Sequence, residues 1–483
     1  MAKSNKLITV SEELVIERLK YENPWWISGK TEVEYNDMKR RLYYNLFFPL
    51  VEETEVKRAL VLMGPRRVGK TVMMHHSIQG LLDKNINSKK ICFINIENPI
   101  YNNISLSDLF TFVRKALNDN DSNGWFIFFD EIQYLKNWEV HLKILVDDFP
   151  KSKFIVSGSA AAALKMKSYE SGAGRFTDFK LPPLTFNEFI DLKEFNNLMT
   201  PSEMEWGRSK VDFFSTININ ELNKLFVDYI NFGGYPEVIF SEKIQVNPGR
   251  YIRNDIVDKV LLRDLPSLYG IQDVQELNSL FTTLAYNTGN EVSFESLNNT
   301  SHVDKYLIKK YLSYLEAAFL IRIVKRIDDA GKKFKRENFF KVFLTNPSLR
   351  SALFEPVTAT DDMIGNLVET AIYSQWLHRE SFTPFYSRWQ RGEVDIVSLD
   401  DKKLKPVWAV EIKWSNRFFE KPNELTSLIS FCKKNNLSSA LITSIDKEGK
   451  HIVEGINLHF MPASIYAYVV GNNTLSLNSS LLW

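Results

Sequence analysis

The chain of 483 residues carries 60 lysines and arginines against 59 aspartates and glutamates, a formal charge of +1. That balance excludes bulk electrostatic attraction to nucleic acid or a membrane surface, so any basic contact must be a local patch. Two cysteines, Cys92 and Cys432, are too few for a disulfide framework or a thiolate metal site.

No apolar run approaches the ~18 residues that span a bilayer, and the opening MAKSNKLITVSEEL has no signal-peptide core. The expectation is a soluble cytoplasmic protein with no membrane partner, built of about three domains. Residues 1–55 read as a helical N-terminal extension, with breaks at Pro24 and Pro49 among large aromatics. Over 56–186, short apolar strands (ALVLM, ICFINI, WFIFF, KFIVS) alternate with helical segments, which predicts an α/β core around a buried parallel sheet. Residues 187–270 read as a mostly helical lid, interrupted at Phe232-Gly233-Gly234-Tyr235-Pro236. In 271–330, SFESLNN, a turn and DKYLIKKYLSYLEAAFLI predict a winged helix. Residues 331–483 return to α/β character, with helix GNLVETAIYSQWLH and strands GEVDIVSL, PVWAVEIKW and SALITS.

A triphosphate needs backbone amides converging on anionic oxygens, which a glycine-permitted loop at a helix N-terminus supplies. GPRRVGKT, comprising Gly64, Pro65, Arg66, Arg67, Val68, Gly69, Lys70 and Thr71, lies between a predicted buried strand and a predicted helix. Lys70 is expected to reach the β and γ phosphates of ATP, and Thr71 to place its hydroxyl on Mg²⁺. Downstream, the strand ending FIFFDE delivers Asp130 as a further Mg²⁺ ligand and Glu131 as the base that polarises water. Asp119, Asp121, Asn123 and Gly124 imitate the start of a calcium loop, but WFIFF, a buried strand, cannot wrap an ion.

With GPRRVGKT and FFDEIQYLKNWE, the runs FIVSGSAAA, ESGAGRF, LPPLTFNEF, FGGYP and RDL occur in the order seen in an AAA+ family of prokaryotic ATPases. The chain resembles that family, which is itself similar to archaeal and STAND-like ATPases. The resemblance implies a parallel-sheet ATPase core with helical lid, a winged helix and a C-terminal domain, with oligomerisation left open. It also implies that Ser157 or Ser159 senses the γ-phosphate. Arg175 is either a sensor or finger arginine or half of a structural salt bridge. Arg263 and Asp264 read as a structural ion pair or helix cap.

Strand alternation in GEVDIV puts Glu393 and Asp395 on one face, with Val394 and Ile396 on the other. In PVWAVEIKW it joins Glu411 to Lys413, and pairing of the two strands gathers carboxylates and a lysine on one surface. Glu369, on an apolar helix, completes a set suited to Mg²⁺-dependent phosphodiester cleavage, with Glu369, Asp395 and Glu411 as metal ligands and Lys413 at the attacking water. The order Glu369, Asp395, Glu411, Lys413 is similar to the PD-(D/E)XK nuclease superfamily, which implies a restriction-endonuclease-like α/β domain. Val394 stands where the name-giving proline would be, and a surface ion pair remains the competing reading.

On the winged helix, Tyr306, Leu307, Tyr311, Leu315 and Phe319 are expected in the core, leaving Lys305, Lys309 and Lys310 toward solvent. With Arg322, Lys325 and Arg326, then Lys332, Lys333, Lys335 and Arg336, they form a basic stretch able to follow a DNA or RNA backbone. The leading expectation is an ATP-driven switch controlling a nuclease-like domain. The alternative is an ATP-gated module that docks a protein partner through an inactive domain.

Overall fold

Five apolar runs pair into one parallel sheet: β1 (Ala59–Met63), β2 (Ile91–Asn95), β3 (Phe126–Asp130), β4 (Lys153–Gly158) and β5 (Phe176–Lys180), in the order β2-β3-β4-β1-β5. Strands β1, β3 and β4 are buried throughout, as unbroken apolar sequence requires when both faces are covered. The register Met63↔Gly158 and Phe129↔Val156 brings the C-terminal ends of β1, β3 and β4 together, the edge at which open α/β sheets bind ligands. The computed structural model describes residues 11–158, 174–206, 209–334, 338–376, 382–400 and 402–475. They form two units, Met1–Pro65 with Gly69–Leu181 and Arg66–Val68 with Pro182–Trp483.

The N-terminal segment seals the outer edge of β2. Asn23 donates from Nδ2 to the Phe93 carbonyl at 2.9 Å and accepts from the Phe93 N–H at 2.6 Å. The indoles of Trp25 and Trp26 both donate to the Ile91 carbonyl, at 3.0 and 2.7 Å. An exposed edge strand invites pairing with other chains, and here side chains occupy its polar groups. Cys92 lies buried in this strand as a free thiol.

The second unit is organised around a nine-stranded mixed sheet. Its strands are β8 (Glu291–Ser293), β9 (Ile321–Ile327), β10 (Phe339–Leu344), β11 (Phe385–Trp389), β12 (Gly392–Leu399), β13 (Pro406–Glu411), β14 (Ser439–Ser444), β15 (Gly449–Val453) and β16 (Ile456–Pro462). The order is β15-β16-β14-β13-β12-β11-β9-β10-β8. Helices Val274–Tyr286, Phe294–Ser301 and Lys305–Ala317 precede the hairpin β9–β10, and that hairpin joins the later strands through parallel pairing of β9 with β11.

Residues 187–270 hold mostly helices and, between them, β6 (Met199–Trp206) and β7 (Ser209–Thr216), an antiparallel hairpin of eight paired positions. Two expectations are corrected. On the helix Lys305–Ala317 the buried stripe is Ile308, Tyr311, Leu312 and Leu315, so Tyr306 is 74% exposed and stands beside the exposed Lys305, Lys309 and Lys310. In β12, Val394 packs with Val397 and Ala409, whereas Ile396 packs with Trp408 and Val410 on a different cluster. The cause is an extra residue in β12 itself: Phe385 pairs with Val397 and Ser387 with Val394, so a bulge of β12 opposite β11 re-aims its side chains.

Candidate functional site

In the first unit, the loop after β1 turns into the helix Lys70–Asp83 through Gly69, whose φ of 92° favours a residue with no Cβ. Lys70 is buried, its ammonium donating to the carbonyls of Gly64 at 3.1 Å and Pro65 at 2.8 Å. Thr71 Oγ1 donates to Asp130 Oδ2 at 2.7 Å, and Ser157 Oγ donates to Asp130 Oδ1. Burial and the charge of Glu131 push the Asp130 carboxyl up to about 6, against the opposing bonds from Ser157 and Thr71. Glu131 adopts left-handed backbone, φ 53° and ψ 47°, with its N–H donating to Ser157 Oγ and its Oε2 accepting from Gln133. A glutamate held at such a φ marks backbone strain at the strand end where the motif places the base.

The two serines offered as sensors now separate: Ser157 sits within the Asp130 network, while Ser159 lies outside the described residues. Arg175 pairs with Asp147 at 2.5 Å, each side chain 42% exposed. The loop residues Arg66–Val68 group with the second unit, where Arg66 holds Asp264 through two bonds of 2.8 and 2.9 Å. Asp264 thus takes Arg66 as a partner. Arg67 bonds Glu237 at 3.0 Å and Asp255 at 3.1 Å.

In the second unit, antiparallel pairing of β12 with β13 (Ile396↔Val410, Val397↔Ala409) brings Asp395 beside Glu411. Lys413 Nζ lies 2.7 Å from Glu411 Oε1 and 3.4 Å from Asp395 Oδ2, although Lys413 stands past the end of β13. Asp395 Oδ2 also accepts from the Ile412 N–H at 2.8 Å, and the Lys413 N–H donates to Thr443 Oγ1 at 2.7 Å. Glu369, on the helix Ile364–Gln375, meets a residue that sequence reading missed: Lys341 of β10 lies 2.8 Å from Glu369 Oε1, 2.6 Å from Glu393 Oε1 and 3.9 Å from Asp395 Oδ1. Arg388 continues this alternation of charge to Glu393 at 3.3 Å and Glu291 at 3.7 Å.

Burial pushes Glu369 up to about 7 and Glu411 up to about 8, with Asp395 adding to both and the lysines opposing. Burial also pushes Asp395 up, but the ammoniums of Lys413 and Lys341 prevail and hold it below the usual carboxylate range. Both lysines are held above their ordinary value, their acid partners outweighing burial. Among the described residues, Glu411 Oε2 is buried with no hydrogen-bond partner, a costly state for a carboxyl oxygen and one that a cation relieves. Among the described residues, no group of three histidine, cysteine, aspartate or glutamate side chains is placed to share one ion. Asp395 and Glu411 still suit Mg²⁺, which takes one or two carboxylates and keeps several waters.

Among the described residues, no helix is long and apolar enough to cross a membrane. Residues 56–190 match a family described as an AAA domain, and residues 223–360 match a domain of unknown function (DUF8612). An uncharacterised protein of Haemophilus influenzae is 26% identical over 410 residues, covering 83% of this chain and 92% of its own. One of Methanocaldococcus jannaschii is 24% identical over 445 residues, covering 90% and 89%. Among solved structures, the Aeropyrum pernix ORC2 protein in its ADPNP-ADP complexes aligns at 10% identity and a TM-score of 0.36, over 71% of this chain and 94% of that one. AMPPCP-bound DnaA from Aquifex aeolicus aligns at 12% identity and 0.25, over 58% and 90%. Residues 56–190 are thus similar to an AAA domain, and within that stretch the parallel sheet carries the network of Lys70, Thr71 and Asp130 at its strand ends.

Proposed function

We propose that the chain is an ATP-hydrolysing switch governing a metal-dependent phosphodiester-cleaving site in its second unit, with DNA or RNA as substrate. The observation that carries the second half is the cluster of Asp395, Glu411 and Lys413 on adjoining strand ends, with one Glu411 oxygen buried and unpartnered among the described residues.

At the nucleotide site, the glycine loop and Lys70 bind the phosphates, and Glu131 orients and deprotonates the attacking water. Thr71 and Asp130 would hold Mg²⁺, whose part is to neutralise charge on the β and γ phosphates. Their adjacent hard oxygens, and a buried carboxyl pushed up to about 6, fit a divalent cation. Ser157 keeps Asp130 and the Glu131 backbone in one arrangement.

At the second site, Asp395 and Glu411 would hold Mg²⁺, which supplies a polarised water and charge neutralisation at the phosphoryl group. Lys413, anchored through its N–H to Thr443, holds a positive charge for the developing phosphorane. The order helix Ile364–Gln375, three antiparallel strands, helix Thr426–Lys434 and parallel β14 supports a nuclease-like fold. Three helices with β8 and the β9–β10 hairpin support a winged helix, whose exposed Lys305, Lys309 and Lys310 would meet phosphates.

The purified protein is expected to hydrolyse ATP, with Lys70→Ala abolishing turnover and Glu131→Gln trapping bound ATP. Normal turnover in both variants refutes the ATPase assignment. Metal-dependent cleavage of DNA or RNA, lost in Asp395→Asn and Lys413→Ala, tests the second site. A second reading, an ATP-gated module docking a protein partner through an inactive domain, is favoured by the burial of Lys341 among Glu369, Glu393 and Asp395. Absence of cleavage with every metal and nucleotide supports that reading.

A further inference from the structure

The cation at the floor of the second site belongs to the protein itself. Lys341 is 4% exposed at its side chain, against 29% for Glu393 and 27% for Lys413, so it lies beneath the rim formed by those residues. Its ammonium has three protons to donate and finds Glu369 at 2.8 Å and Glu393 at 2.6 Å, with Asp395 Oδ1 3.9 Å away. The other Glu369 oxygen packs toward the Gly289 turn, 3.6 Å from where a Cβ would stand. Glu369 is thus tied to Lys341 through Oε1. In contrast, Glu411 keeps one buried oxygen with no hydrogen-bond partner among the described residues.

We propose that Lys341 is a positioning residue that takes the place of a second metal ion: it withdraws Glu369 and Glu393 from ligation and leaves a one-metal site on Asp395 and Glu411. A fixed ammonium beside the acids repels a second divalent ion and at the same time supplies a positive charge that such an ion would bring. The inference rests on the proposed phosphodiester-cleaving reading of this site. Lys341 extends from β10, whose neighbours are β9 and β8, so the residue that sets the ion count comes from the helix-and-hairpin segment, outside the strands that carry Asp395 and Glu411.

The test is Mn²⁺ binding to the full nucleotide-free chain, read by electron paramagnetic resonance of free Mn²⁺. In the wild type, one ion that depends on Asp395 and Glu411 is expected, lost in Asp395→Asn and in Glu411→Gln. Glu369→Gln leaves its affinity within about twofold, whereas loss of a true ligand costs about tenfold or more. Lys341→Met gains one further ion per chain, Lys341→Arg does not, and Lys341→Met with Glu369→Gln loses the extra ion again. If Glu369→Gln weakens the wild-type ion about tenfold, or a folded Lys341→Met gains none, Lys341 does not have this role, although the site reading stands. Should Lys341→Met fail to fold, the Glu369→Gln result decides alone. If Asp395→Asn and Glu411→Gln leave Mn²⁺ binding unchanged, the reading of the site itself fails, and this inference with it.

Discussion

Replacing Asn23 by alanine removes a side chain that is wholly buried and makes three hydrogen bonds: to the carbonyls of Leu19 at 2.8 Å and Phe93 at 2.9 Å, and from the Phe93 N–H at 2.6 Å. Alanine leaves the N–H and carbonyl of Phe93 without this partner. Each buried group left unsatisfied costs about 1–3 kcal/mol, so the two Phe93 groups give a loss of about 4 kcal/mol. A single domain has only about 5–15 kcal/mol in total. At a urea dependence near 2 kcal/mol per molar, the midpoint of unfolding should fall by about 2 M. Tryptophan fluorescence in urea measures this, and hydrogen exchange at the Phe93 amide reports the local opening. Asn23→Asp keeps the acceptor for Phe93 N–H but turns a carboxylate toward two carbonyls, so its cost should be large at neutral pH and shrink as acid protonates it. A loss below about 1 kcal/mol in Asn23→Ala, with Phe93 exchange unchanged, would mean that the edge of β2 does not depend on this amide.

Gly80→Ala improves intrinsic helix propensity by about 1 kcal/mol, yet should lower the melting temperature. Its Cβ would stand 2.3 Å from Tyr44 Oη and 2.8 Å from Phe48, and a rise in stability would show that these rings yield freely. His75, buried and stacked on Tyr35 at 3.9 Å, is pushed down to about 3 by burial first and His76 second. The unfolded chain therefore binds the proton more readily, and stability falls as pH drops from about 6.5 to about 3, by up to about 5 kcal/mol. His75→Phe keeps the stack and should shift acid denaturation, followed by circular dichroism, to lower pH. Leu367→Ala, at 0% exposure in the main cluster of the second unit, should cost about 2–5 kcal/mol in chemical denaturation. If the helix Lys305–Ala317 contacts nucleic acid, replacing Lys305, Lys309 and Lys310 by alanine should lower the slope of log affinity against log salt by about 3, roughly one per lysine.

The parallel core was legible because ALVLM and FIFF are continuous apolar runs, which only strands buried on both faces favour. The Thr71–Asp130 bond follows from the same logic, since two motifs at neighbouring strand ends must meet. The β6–β7 hairpin was not legible: MTPSEMEW contains Pro201 and four polar or acidic residues that weaken any period of two. Tyr306 was misplaced because an amphipathic ring fits either side of a helix, and the true stripe is phased from Ile308. In the second site, alternation found Glu393, Asp395 and Glu411, but no local rule could link Lys341 to a glutamate 28 residues away. The signal was present in FFKVFL as a charge inside an apolar strand, which must find partners or remain exposed.

The pairing of β9 with both β10 and β11 has a consequence for how this chain is made. As synthesis proceeds, β9 acquires its hairpin partner early, but β11 follows only about 60 residues later, after a helix that must dock first. For that interval one side of β9 is an unsatisfied strand edge, and the Lys341 ammonium has neither Glu369 nor Glu393 beside it. The helix-and-hairpin segment is thus not a finished body when its own last residue emerges.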